Sequence, residues 1–369
     1  MKKALALLLA AACLCLTGCA GDTVIYQVDC DHEDTPQADP APLPQEGDAV
    51  KTGLYLTTDL TGSTAAEEAD FDVILVAVTV DEGGVIRRCV IDGVSSAMPF
   101  DTTGTVTGDI TAPVRSKNEL GEDYGMKAYG GARYEWDVQA AALAAYCVGK
   151  RADTLRGGID STGYAVDENL AATASIYLGG LVSAVEQAAA RARSLGASAE
   201  DELRLSVLAD HSGSTSATES EPGRVRLNCT AAAVTFSGDT VTSCTIDSVQ
   251  ADVTFDAMGT ITGELPVHVK TKNELGEDYG MKTYGGARYE WYEQVESFCA
   301  YVTGKTPEQI LEIPVSDGKP TQADLTASVT ISITPFQQLL SRAGGYGERC
   351  CCIHIVIFPI GETPCHIEI

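Results

Sequence analysis

Two stretches of the chain concentrate the side chains that could hold a ligand. KNELGEDYGMKAYGGARYEW, residues 117–136, recurs as KNELGEDYGMKTYGGARYEW, residues 272–291, with one change, Ala128 to Thr283. The block offers Tyr124, Tyr129 and Tyr134, glycines at 121, 125, 130 and 131, and the polar Asn118, Lys127 and Arg133. In the second copy Asn273, Gly276, Tyr279, Gly280 and Lys282 stand at the matching places. Aromatic faces, backbone donors from glycine turns and a few fixed polar groups suit a flat ligand. Glu119, Glu122 and Asp123 crowd negative charge where a phosphate would sit, and they raise calcium as an alternative. Their spacing does not follow the alternating ligands of an EF-hand loop, so no metal is assigned.

Nucleophilic chemistry finds no such support. The histidines lie at 32, 211, 268, 354 and 366, none with matching Ser, Cys or Asp neighbours in both copies. Neither a phosphate-cradling Walker sequence nor a dinucleotide fingerprint is present. The reading is a binding or carrier module with no catalytic residues.

The elements that must position the block repeat with it. From Cys89 against Cys244 onward the copies align without a gap, and two long copies imply tandem domains, placed at 51–194 and 202–343 with a hinge at 195–201. DVILVAVTV, 72–80, reads as a buried strand that turns at Gly83 and Gly84 into VIRRCVIDGV, a hairpin. Ile261, Leu265, Val267 and Val269 alternate with polar residues and predict a half-buried strand feeding the second block. NELGEDYG suits a loop. Trp136, Leu143 and Tyr146 share a helix face that Gly149 terminates. LTASVTISI, 325–333, reads as a strand, Pro335 opens a final helix, and Gly180 to Arg193 forms the corresponding helix of the first copy. The fold class is α+β: in each copy, a small antiparallel sheet with helices on one face.

Composition narrows the partners. The 369 residues carry 52 acidic against 25 basic side chains, a net charge of −27 that repels nucleic acid. MKKALALLLAAACLCLTGC has a basic start, a short apolar run and small residues before Cys19, which marks a secretory signal over 1–18. It resembles a bacterial lipoprotein signal, with Leu16-Thr17-Gly18-Cys19 as the lipobox. The resemblance implies a lipid on Cys19 that holds an exported monomer on the outer face of the cell membrane. Residues 19–50 are rich in Asp, Glu and Pro and read as a flexible tether. Outside the terminal run Cys350 to Cys352, no CxxC spacing occurs, and the cysteines of the repeats read as small core residues. The tail 344–369 matches nothing in the first copy and looks like a frameshift or a recent extension.

The order of parts resembles the FMN-binding domain family, which includes flavin-carrying subunits of the Rnf complex and of sodium-translocating NADH:quinone reductase. There a strand pair precedes a glycine-rich loop, a tryptophan, and an Asp-x-x-Ser-Gly-Ala-Thr motif whose threonine carries FMN. The matching string in copy two runs from Asp324 to Thr330, and in copy one from Asn169 to Ser175. The resemblance implies FMN as cofactor, with Thr330 and Ser175 as attachment points. Both strings lack the glycine and have Ala327 or Ala172 at the serine position. Two readings follow: a flavin-binding, electron-carrying lipoprotein, or an interaction protein of the cell envelope that binds a partner through the repeated block.

Overall fold

A computed structural model describes residues 48–345. The signal, Cys19, nearly all of the tether and the tail beyond 345 lie outside the described residues. Strands β1 (Lys51–Asp59), β2 (Glu68–Val80) and β3 (Ile86–Pro99) form one antiparallel sheet; β4 (Glu202–Asp210), β5 (Gly223–Ser237) and β6 (Thr240–Phe255) form another. The first is followed by helices α1 (Lys117–Leu120), α2 (Met126–Gly130), α3 (Trp136–Cys147), α4 (Glu168–Thr173) and α5 (Gly179–Ala190). The second is followed by α6 (Lys272–Leu275), α7 (Trp291–Val302), α8 (Pro307–Leu311), α9 (Ala323–Thr326) and α10 (Thr334–Ala343). The chain is thus mixed helix and strand with small antiparallel sheets.

Helices cover one face of each sheet. On β2, Val76, Val78 and Val80 point toward α3 and α5, whereas Phe71, Val73, Leu75 and Ala77 point the other way and meet Val225, Leu227 and Val253 of the second sheet. The layers therefore run helix, sheet, sheet, helix. This is why DVILVAVTV is apolar at nearly every position: a strand buried on both faces cannot alternate. The segment 195–201 is pinned rather than loose. Ala197 and Ala199 pack on Val50, and Asp201 accepts bonds from Ser198 N (2.7 Å) and Thr242 Oγ1 (2.6 Å).

The copies meet through reciprocal contacts. Phe100 and Phe255, equivalent in the repeat, stack with centroids 4.1 Å apart. Ala217 N donates to Gly104 O (2.7 Å), and Ala66 N donates to Gly259 O (2.8 Å). Each copy's last helix ends near an arginine that reaches the other copy: Arg191 to Glu274 at 2.8 Å, Arg342 to Glu119 at 3.2 Å. These exposed or half-exposed pairs orient more than they stabilise.

Several local expectations need correction. The β2–β3 hairpin forms, with Gly84 at φ +78°. Residues 261–269, expected as a strand, run as irregular chain: Gly263 and Pro266 interrupt it, although Ile261, Leu265 and Val269 still pack on the central core. NELGEDYG is not a plain loop but short helical turns at 117–124, because Ser116 supplies a capping box with Glu119. LTASVTISI is not a strand. It begins in α9 and continues as turns, with the Thr330 and Ile331 backbone N–H groups held by the Gln294 side chain. Helix α5 stops at Ala190 rather than 193, because Arg193 pairs in a bridge with Thr52. Pro335 does open α10.

Gly104 combines φ +66° with a carbonyl 2.6 Å from where a Cβ would sit, belonging to Asp256 of the other copy. Gly238 has φ +57° in the β5–β6 turn but open space around it. Gly104→Ala should therefore cost roughly 2–4 kcal/mol in urea unfolding and Gly238→Ala about 1 kcal/mol. Equal losses would show that the contact between the copies is slack.

Candidate functional site

The block is anchored from beneath by a carboxylate that sequence reading passed over. Asp92 of β3 accepts Gly93 N (2.7 Å) and Asn118 N (3.0 Å) on the same oxygen, and the Ser116 hydroxyl bonds to it as well. Asp247 of β6 repeats this with Ser248 N (2.7 Å), Asn273 N (3.1 Å) and Thr271. Asn118 and Asn273 then donate their side-chain amides to Ile91 O (2.9 Å) and Ile246 O (3.0 Å). Both thereby tie the first turn of the block to the sheet. Burial pushes the Asp92 carboxyl up to about 7 and that of Asp247 to about 6, against the bonds that favour the charged form.

A second carboxylate holds the block's far half. Glu135 accepts Met126 N (2.7 Å) and Lys127 N (3.0 Å), and Glu290 accepts Met281 N (2.8 Å) and Lys282 N (2.9 Å). Gly121 and Gly276 sit at φ +50° and +53°, Gly125 and Gly280 at +82° and +81°, angles that an L side chain resists. Tyr124 and Trp136 flank the Lys117 ammonium at 5.4 and 5.1 Å; Tyr279 and Trp291 flank Lys272, both at 5.1 Å. Lys117 also meets Asp72 at 2.8 Å. Burial lowers Lys272 to about 8, with Arg226 adding to that and Asp247 opposing it. Tyr124 and Tyr279 thus cover a lysine and pack on the outer core instead of walling a cleft.

The rest of the block stands out from the surface. Tyr129 is 92% exposed and Tyr284 88%, amid exposed glycines and the exposed Arg133 and Arg288. Each tyrosine ring lies against the block's own glycine, so that a Cβ on Gly125 would sit 2.6 Å from Tyr129 and one on Gly280 2.4 Å from Tyr284. The guanidinium groups of Arg133 and Arg288 lie over Tyr134 and Tyr289, both at 5.1 Å. Lys127 is exposed, 3.6 Å from Glu122, and Lys282 reaches Glu293 at 3.4 Å. Glu119, Glu122, Asp123, Glu274 and Glu277 enter such pairs or caps, and among the described residues no three His, Cys, Asp or Glu side chains gather as metal ligands.

Ser175 and Thr330 face solvent, and a buried glutamine holds each of them. Gln294 Oε1 accepts Thr330 N (2.8 Å), Thr330 Oγ1 (3.1 Å) and Ile331 N (3.2 Å); Gln139 Oε1 accepts Ser175 N (2.7 Å), Ser175 Oγ (3.2 Å) and Ile176 N (3.1 Å). The glutamine amides donate to Tyr289 O and Tyr134 O, both 2.9 Å. The block and the Ser175 or Thr330 segment are therefore joined through one side chain in each copy. Gln139 and Gln294 were visible in the aligned strings QAAALAAYCVGK and QVESFCAYVTGK, but an amide inside a helix gave no hint of its reach. Asp324 and Asn169 are exposed on α9 and α4, where Asp167, not Asn169, supplies the cap, through bonds from Asn169 N (3.1 Å) and Leu170 N (3.0 Å).

Of the clefts among the described residues, two hold side chains that could do chemistry. One of about 410 Å³ is lined by Ser96, Met98, Asp109, Arg115 and His211. The other, about 270 Å³, is lined by Arg193, Cys244, Asn273, Glu296 and Cys299, and so includes one predicted residue, Asn273. In the first, His211 Nε2 meets Ser96 Oγ at 2.7 Å while Nδ1 meets Arg226 O at 2.9 Å, and burial lowers the imidazole below its usual range. The residue that follows β1, as His211 follows β4, is Leu60, also buried. The histidine fills a core position with its hydrogen bonds satisfied.

The chain matches no family model, no curated protein and no solved structure. Among the described residues no helix is long and apolar enough to cross a membrane.

Because Asp92 and Asp247 titrate higher in the folded chain than in the unfolded one, the native state holds their protons between about pH 4 and pH 7. Their contribution is full below the unfolded value and is lost as pH rises through about 6 and then about 7. Asp92→Asn with Asp247→Asn keeps the accepting oxygen and removes the titration. Denaturation midpoints at pH 5 and pH 8 should show the variant gaining roughly 1–3 kcal/mol on wild type at the higher pH. An unchanged difference between the two would mean that neither carboxyl is shifted.

Proposed function

We propose that the protein is an exported, lipid-anchored interaction module that displays two binding tips, 126–133 and 281–288, alike except for Ala128 and Thr283, to a partner in the cell envelope. In this reading each copy of the repeat is a domain of one kind, Cys19 carries the anchor, and the tether lifts the tips from the membrane. The observation that carries it is the pair of exposed tyrosines inside a block kept nearly identical. Folding accounts for Asn118, Gly121, Tyr124, Gly125, Glu135 and Trp136, all of which bond, turn or pack. It asks nothing of Tyr129, since solvated side chains exchange at little cost. An exposed aromatic ring seated on a glycine makes an anchor of low conformational cost.

Purified bacterial cell-wall material is the probe. Wild type should sediment with it. Because both tips sit on one protein, either Tyr129→Ala or Tyr284→Ala alone should weaken retention about 10–100-fold, and the pair should abolish it, with an unchanged melting temperature. Undiminished binding by the double variant would remove the tips from any role.

A flavin reading has one observation in its favour: Ser175 and Thr330, which the resemblance would make attachment points, are exposed. Coexpression with a flavin transferase followed by intact-mass measurement tests it. An FMN-sized gain that Thr330→Ala abolishes would support an electron carrier, and no gain would exclude covalent flavin.

A further inference from the structure

Four of the described cysteines meet in two pairs. Cys89 on β3 lies beside Cys147 on α3, and Cys244 on β6 beside Cys299 on α7, each pair buried in one cluster of the outer core and the second pair lining one cleft. The strand members are equivalent in the repeat. The helix members are not: Cys147 aligns with Val302, and Cys299 with Ala144, one helical turn earlier. Alanine and valine therefore serve as filling at both helix positions, and volume alone does not call for cysteine at either. What the two copies share, by different routes, is a helix thiol within reach of the strand thiol. The described cysteine outside these pairs, Cys229, sits alone in the central core.

We propose that Cys89 with Cys147, and Cys244 with Cys299, are disulfide-forming pairs that staple α3 to β3 and α7 to β6. In each, a thiolate attacks a disulfide oxidant such as oxidised glutathione, giving a mixed disulfide and one glutathione thiol. The second cysteine attacks the mixed disulfide and releases the second glutathione, so two electrons and two protons leave the pair. Contact with the partner thiol, together with burial, pushes the Cys89 and Cys244 thiols well above their ordinary value, so the strand member of each pair stays protonated in the folded, reduced chain and pairing belongs to the folding step, before the helix docks. The inference draws on the proposed export only for an oxidising compartment, and refolding in vitro tests the pairing whether or not the protein is exported.

The full chain is reduced, unfolded in urea, refolded in a mixture of reduced and oxidised glutathione, trapped with an alkylating reagent, digested and mapped by mass. Peptides linking Cys89 to Cys147 and Cys244 to Cys299 are expected, each lighter by two hydrogens than its reduced parts. Reduction should lower the melting temperature by roughly 5–10 °C. Cys147→Ala should free Cys89 and leave the other link intact. Cys147→Val combined with Ala144→Cys, which copies the arrangement of the second repeat, should restore a link to Cys89. Alkylation of all four thiols after refolding, or links scrambled to Cys229, would overturn the proposal. If Cys147→Ala fails to fold, the wild-type map decides alone.

Discussion

Each sheet has three strands and two apolar faces, and its own helices can cover only one of them. Everything else follows from how the second face is removed from water. The inner rows of β2, Phe71, Val73, Leu75 and Ala77, are closed by Val225, Leu227 and Val253 of the other copy, a burial that contributes on the order of 25 cal/mol for each Å² of apolar surface. The repeat is thus a device by which one chain supplies its own cover. Phe100 on Phe255, the Gly104 and Gly259 carbonyls, and the crossed Arg191–Glu274 and Arg342–Glu119 pairs set the alignment of the two halves.

On that base the repeated block divides cleanly. Its lower part is a set of hydrogen-bonded obligations: Asp92 and Asp247 under the first turn, Glu135 and Glu290 under the second, and glycines at angles that other residues resist. Its upper part projects into solvent with no comparable obligation. The near identity of the lower part has a structural cause, whereas that of the upper part is what the proposed partner would account for.

How much was legible depended on whether a signal was local. The β2–β3 hairpin, the helix from Trp136 to its stop near Gly149, and the helix opened by Pro335 were readable, because apolar run, glycine turn and proline each act within a few residues. The strands expected at 261–269 and 325–333 did not form. In the first, alternating apolar residues pack from an irregular chain; in the second, Gln294 takes up the backbone N–H groups of Thr330 and Ile331 that a strand would have paired. For the site, the glycines and the tryptophans were recognisable, while Asp92, Glu135 and Gln139 were not, since their roles depend on residues up to dozens of positions away.

The amino-acid sequence alone determined that the chain holds two copies of one unit, where the β2–β3 turn and the helix boundaries at Gly149 and Pro335 fall, and that its net charge is −27. These are properties of composition and of neighbours along the chain. Only the tertiary structure decided that the copies close on each other, that Asn118 and Tyr124 face inward while Tyr129 and Tyr284 face out, and that Cys147 and Cys299 reach equivalent strand thiols from unequal positions. Burial and contact between distant residues are set by which faces meet, and no local pattern carries that information.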